Sequence, residues 1–131
     1  PDAVVLQCGA DALLEDPLAR LALSNASHWK TVAALGALCD RFLVLGGGGY
    51  NPWSVARCWA GVWATLAGHD IPDELREEAR AVLSPLKWNR KAGFQPPAQW
   101  IETLRDPPRN GPVRDDVRSR VRHQTDRLNA E

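Results

Sequence analysis

The stretch LVLGGGGYNPW, Leu43 to Trp53, sets four consecutive glycines between an apolar run and the only tyrosine of the chain. Glycine loses more backbone freedom on folding than any other residue. A run of it marks a place that needs unusual dihedrals or the close approach of another group. Three uses are open here: a phosphate cradle, a hinge, or a mount for Tyr50. Gly46 and Gly48 match the start of the dinucleotide fingerprint, but Asn51 stands at its last position. The first acidic residue downstream, Asp70, comes only after a further helical stretch, and no Lys-Ser/Thr pair follows the glycines. A strand before the loop and a helix directly after it argue against a hinge. What remains is a loop that lets another backbone, or a substrate, come close.

The flanks define the fold. Arg41 to Leu45, RFLVL, is an apolar run of strand length. Pro52 to Leu66 has a proline in the first turn, an apolar face of Val55, Trp59, Val62, Trp63 and Leu66, and a stop at Gly68. Upstream, Ala3 to Leu6 reads as a strand ending at Cys8-Gly9. Ser27 to Leu38 reads as a helix, with Ser24, Asn25 and Ser27 as possible caps. Strand, helix, strand, helix predicts a parallel pair joined by a right-handed crossover. The strands do not alternate in polarity, which predicts burial on both faces. The fold class is α/β, and the unit is too small to be a complete sheet.

The rest is different in character. Asp73 to Leu83 is a charged amphipathic helix with Asp73 as its cap, and Lys87 to Pro97 is irregular. Ala98 to Leu104 is a short helix ended by RDPPRNGP, and Val113 to Leu128 a helix with a thin stripe of Val113, Val117, Val121 and Leu128. This divides the chain into 1–83 and an irregular, helical extension over 84–131. Trp88, Phe94 and Trp100 are expected to fold back on the core. Trp59 and Trp63 are expected to pack beneath the sheet rim, and Arg57 to form a buried ion pair, with Asp16 one available mate.

Composition narrows the classes. With 131 residues and 44% apolar content the chain can build one core, and sixteen basic residues balance sixteen acidic ones. That balance gives no net field toward nucleic acid or anionic lipid. No apolar run approaches the ~18 residues of a membrane span, and none carries the pattern of a signal peptide. Cys8, Cys39 and Cys58 are an odd set without a C-x-x-C, which disfavours a zinc finger or a disulfide framework and predicts buried thiols. The chain lacks methionine and opens directly into PDAVVLQCG, so we expect the C-terminal part of a longer, cytoplasmic enzyme.

In an open parallel sheet, ligands bind beyond the carboxyl ends of the strands. The first strand delivers Asp11 to that rim and the second delivers Tyr50. Neighbouring strands would place a carboxylate and a phenol together.

VVLQCGADALLEDPLARLALS and LVLGGGGYNPWSVARCWA together resemble the zinc-dependent histone deacetylase superfamily. The resemblance is strong over about Pro1 to Gly68. It implies an arginase/deacetylase fold with a mainly parallel eight-stranded sheet, of which this would be the C-terminal part. IPDELREEARAVL and WIETLRDPPRNGPVR resemble the acetoin-utilisation branch of bacterial deacetylases. Carried over residue by residue, the resemblance implies Asp11 as a metal ligand and Tyr50 as the catalytic tyrosine. Leu18, in EDPL, and Gly48 and Gly49 would line the acyl-lysine channel. It implies Zn2+ as cofactor, with Fe2+ the alternative in cells, and an acetylated protein lysine as substrate. It implies no direct nucleic-acid or membrane partner, and leaves a homo-oligomer open. Pro17 and Trp53 stand where corepressor-bound members carry arginines, which disfavours an inositol-phosphate-dependent complex. The family's tandem histidines and Asp-x-His ligands have no counterpart here, because His28, His69 and His123 do not match them. The chain alone is therefore expected to be inactive. Acetylpolyamine deacetylation and a non-catalytic acyl-lysine-binding homologue are the alternatives.

Overall fold

A computed structural model of the chain describes residues 1–18, 21–109 and 111–130. Strand β1 (Val4–Gln7) and strand β2 (Phe42–Leu45) pair in parallel, with Val4 opposite Phe42 and Gln7 opposite Leu45. Helix α1 (Asn25–Gly36) joins them, and helix α2 (Pro52–Leu66) follows. Val32 and Trp29 of α1 meet Cys58 and Val62 of α2 over Leu6, Phe42 and Val44 of the strands. A Cβ on Gly61 would lie 2.1 Å from the Trp29 ring, so only glycine lets the helices approach this closely there. Trp29 Nε1 also donates to the Cys58 carbonyl at 3.0 Å.

The strand-helix-strand-helix order is the expected one, but the sheet is covered differently. Val5, Leu43 and Leu45 point away from α1 and α2 and are exposed, Val5 by 63%. The described residues lay helices on one face of the pair only, so the expected two-sided burial is not met among them.

Asn51 begins α2: its Oδ1 accepts the N–H groups of Trp53 (3.1 Å) and Ser54 (3.4 Å), with Pro52 in the first turn. The buried side of α2 includes Trp53, Ser54, Arg57, Cys58, Gly61 and Val62. Trp63, expected in the core, instead lies 62% exposed beside His69, with ring centroids 5.1 Å apart and the rings tilted. The helix turns it away because the face toward α1 already runs through Cys58, Gly61 and Val62. Ser24 precedes α1 without a capping bond, and the Asn25 side chain serves the distant chain instead, bonding Leu104 and Asp106.

Helix α3 (Glu77–Leu83) is shorter than expected, and Arg76, not Asp73, precedes it. Residues 73–75 are drawn outward: Leu75 N–H donates to the Glu102 carbonyl at 2.7 Å, and Asp73 accepts from Arg105 Nε at 3.1 Å. A second apolar cluster forms around fully buried Trp53, whose ring meets Trp88, Phe94 and Trp100 at centroid distances of 6.4, 5.9 and 6.0 Å. Helix α4 (Gln99–Glu102) carries Trp100, and helix α5 (Asp115–Leu128) is exposed along its whole length. Asn110, within the expected RDPPRNGP break, lies outside the described residues.

Candidate active site

Parallel pairing brings the ends of β1 and β2 to one rim. Cys8 N–H donates to the Leu45 carbonyl at 2.9 Å, and Ala10 N–H to the Gly48 carbonyl at 2.7 Å. Those bonds press the short 3-10 turn Ala10–Ala12 against the glycine loop. A Cβ on Gly48 would lie 2.2 Å from Asp11 Oδ2, and one on Gly9 2.7 Å from Asp11 Oδ1. Side chains at either position would fill the space the carboxylate uses. Gly49 has φ +151, a conformation L residues rarely adopt, and a Cβ there would meet Val55 at 2.6 Å. The glycines thus admit Asp11 as well as leading to Tyr50.

Tyr50 is held by its backbone. Buried Asp16 accepts the Tyr50 N–H at Oδ2 (2.7 Å) and the Leu18 N–H at Oδ1 (2.9 Å). One carboxylate therefore ties the tyrosine to the expected channel-wall leucine. Asn51 Nδ2 adds a bond to the Glu15 carbonyl at 3.1 Å, and Trp88 Nε1 donates to the Tyr50 carbonyl at 3.0 Å. The Tyr50 side chain is 41% exposed, and the Arg90 guanidinium lies 5.2 Å from its ring centroid. Leu18 is exposed as well. All five residues singled out from the sequence (Asp11, Leu18, Gly48, Gly49 and Tyr50) lie on the two loops that these contacts join.

A model of the histone deacetylase domain matches residues 1–66. The chain belongs to the histone deacetylase family. Histone deacetylase 1 of Homo sapiens is 44% identical over 75 residues, 57% of this chain and 16% of that protein. Histone deacetylase 1 of Oryza sativa subsp. japonica is 43% identical over 75 residues, again 57% of this chain and 14% of that protein. The crystal structure of an HDAC homolog from Aquifex aeolicus superimposes with a TM-score of 0.78 at 34% identity, covering 91% of this chain and 32% of that one. A structure of an HDAC homolog complexed with SAHA matches equally well. The chain therefore spans about a third or less of the family members it matches, and the fold is the α/β fold of that family.

The deacetylase family implies a metal, so the donor set matters. Neither Asp11 oxygen accepts a hydrogen bond from a described residue, and both sit in a cradle that Cβ atoms on Gly9 and Gly48 would fill. An unpaired, half-buried carboxylate of this kind fits a metal ligand. Among the described residues no group of three metal-binding side chains forms. A cavity of about 340 Å3 adjoins the carboxylate, lined in part by Asp11, Ser27, His28 and Thr31. His28 is buried there with Nε2 2.9 Å from the Gly9 carbonyl, so it props the Asp11 turn from behind.

Charge behind the two loops is organised around Arg57. Its fully buried guanidinium meets Asp106 at 2.7 Å, and its Nε donates to the Thr103 carbonyl at 2.9 Å. Asp106, not Asp16, is its mate, because Asp16 is committed to Tyr50 and Leu18 while the chain at 103–106 packs over α2. Burial, then the neighbouring Asp106 charge, push the Glu15 carboxyl up, against a hydrogen bond from its own backbone and the pull of Arg57 and Arg109. Burial pushes the Cys58 thiol to about 12 and also raises Cys8. Both are buried free thiols, as expected, whereas Cys39 is only partly covered.

Asp16 and Asn51 hold the two loops through roles that their motifs do not by themselves announce. Even so, Asn51-Pro52 is a legible cap and first-turn pair, and the aspartate of EDPL sat inside a motif already in view. The contacts of Trp88 and Arg90 with Tyr50 span far along the chain, and no local pattern announces them.

Proposed function

We propose that this chain forms part of a zinc-dependent deacetylase that hydrolyses the amide of acetyl-lysine in proteins, in the acetoin-utilisation branch that the tail resembles. Asp11 would be one of the three protein ligands a catalytic zinc uses. Zinc bound there would polarise the amide carbonyl and lower the pKa of a bound water. Tyr50 would donate a hydrogen bond to the oxygen on which negative charge develops. Such a donor is worth ~10²–10³ in rate, provided it is held in place beforehand. Asp16, Asn51 and Trp88 fix the Tyr50 backbone without using its hydroxyl. Gly48 and Gly49 add no side chains to the wall, and Leu18 supplies an apolar one for the alkyl stem of the lysine.

The observation that carries this reading is the shared rim: an unpaired Asp11 carboxylate set against Gly48, two residues from Tyr50. With one ligand present, the isolated chain should be inactive. In the complete deacetylase, Tyr50→Phe should lower kcat on an acetyl-lysine peptide by ~10²–10³ with bound metal unchanged. Asp11→Asn should lower metal content measured by atomic emission. Full turnover by Tyr50→Phe, or full metal occupancy in Asp11→Asn, would sink the assignment. A protein that bound acetyl-lysine peptides without turnover would support the non-catalytic reading instead.

A further inference from the structure

The loop over Tyr50 carries charge that the reaction above does not use. From Ser84 to Ile101 the chain has three basic residues, Lys87, Arg90 and Lys91, and no acidic one. The segment is fixed in place: Trp88 packs edge-on to buried Trp53 and donates to the Tyr50 carbonyl. Arg90 is thereby laid over the Tyr50 ring at 5.2 Å, within the range of a cation–π contact. It is exposed and has no carboxylate partner among the described residues. A cleft of about 640 Å3, lined by Lys87, Trp88, Asn89 and Lys91 among others, opens from the same segment. Arg90 at the exposed side of the site tyrosine, with Lys87 and Lys91 along the adjoining cleft and Lys91 also over the Phe94 ring at 4.7 Å, forms a basic surface that fits an anionic chain.

We infer that Arg90, with Lys87 and Lys91, selects acyl-lysine peptides that carry acidic residues next to the modified lysine. The same charges disfavour a polycationic substrate such as an acetylated polyamine. The inference rests on the reading of Tyr50 above and deepens it, by naming the chemistry of the substrate's flanks. At an exposed rim, one charge pair a few Å apart in a water-like dielectric is worth about threefold in affinity. Exchanging an acidic flank for a basic one should therefore change affinity by roughly tenfold, less as salt rises.

The test uses the complete deacetylase and acetyl-lysine peptides that differ only in flanking residues: acidic, neutral or basic. Binding is followed by fluorescence anisotropy and turnover is measured separately. The wild type should bind the acidic-flanked peptide about tenfold tighter than the basic-flanked one, and Arg90→Glu should bring the ratio to parity or invert it. Lys87→Gln and Lys91→Gln should each reduce it by less. A wild-type ratio near one, or an unchanged ratio in Arg90→Glu, overturns the inference. Absent turnover of every peptide, together with a preserved binding ratio, would fail the catalytic reading and leave the charge selection standing. In the complete deacetylase the Tyr50 ring resonances, assigned by their loss in Tyr50→Phe, report directly on Arg90. Arg90→Gln should shift them, and unshifted resonances would show that the cation does not lie on the ring.

Discussion

Residues 84–106 and residues 113–130 both follow α3, and both look peripheral by composition, yet only the first belongs to the packed body. The first brings Trp88, Phe94 and Trp100 onto Trp53, and ends with Thr103 and Asp106 bound to buried Arg57. The Asn25 side chain and N–H complete that attachment through Asp106 and Leu104. The second has a regular 3.6-residue stripe, but Val121 and Leu128 are 57% and 74% exposed. Its helix gains what a solvated helix can: Asp115 and Asp116 in the first turn and Arg127 in the last, each matched to the helix dipole. Periodicity gives a helix a face. Large apolar area and fixed polar partners decide whether that face is used.

The largest break in this comparison should come from Trp53→Ala. Trp53 is fully buried at the junction of α2 with the 84–106 segment, and its Nε1 donates to the Leu83 carbonyl at 2.9 Å. Removing a buried indole costs about 3–5 kcal/mol, so denaturant unfolding should show that loss, and proteolysis should cut first between Pro85 and Pro97. Because Trp88 and Arg90 reach Tyr50 through this cluster, the Tyr50 ring signal should move in the same variant. A stability loss under about 1 kcal/mol, far below the range for a buried aromatic, would mean the segment is held by something other than Trp53.

A smaller change should sharpen the polar half of the attachment. Glu15 is partly buried near Asp106, and its carboxyl lies above its ordinary value of 4.5, mainly through burial. A carboxyl raised in the folded state holds more protons there than in the unfolded chain. Its contribution is therefore favourable at low pH and is lost as pH rises from the unfolded value through the folded one. Glu15→Gln removes that loss. Thermal unfolding should find the variant more stable than the wild type at neutral pH, with the two converging in acid. A variant less stable at neutral pH would show that Glu15 is a favourable partner of Arg57, not a tolerated neighbour.

Local signals made part of this legible. The two strands, the span of α2 and the rim position of Asp11 and Tyr50 follow from apolar runs, a first-turn proline and the rule for parallel sheets. The misses share a cause. Arg57 pairs with Asp106, Asp73 turns toward Arg105, and the site tyrosine is held by Asp16 and Trp88, all through contacts that no short window contains. Trp63 erred differently: its periodicity fitted a helix face, but Gly61 shifted the packed face toward Trp29. The exposed Val5, Leu43 and Leu45 show the same limit, because an apolar strand run does not say which layers pack on its two faces.

The smallest expected effect is the most direct test of the contrast between the two tail regions. Ending the chain after Pro112 removes α5, which is exposed along its whole length and carries none of the contacts that hold Tyr50. Changes on a surface that packs against nothing usually stay within about 0.5 kcal/mol, so the unfolding midpoint should hardly move. An isolated helix of this length is marginal in water, so far-ultraviolet circular dichroism should lose less signal than a full helix would contribute. Substantial destabilisation would instead mean that the stripe of Val113, Val117, Val121 and Leu128 is used, and that the exposed face of α5 is packed in solution. The two tail regions would then differ in which surface they cover, and no longer in whether they cover one.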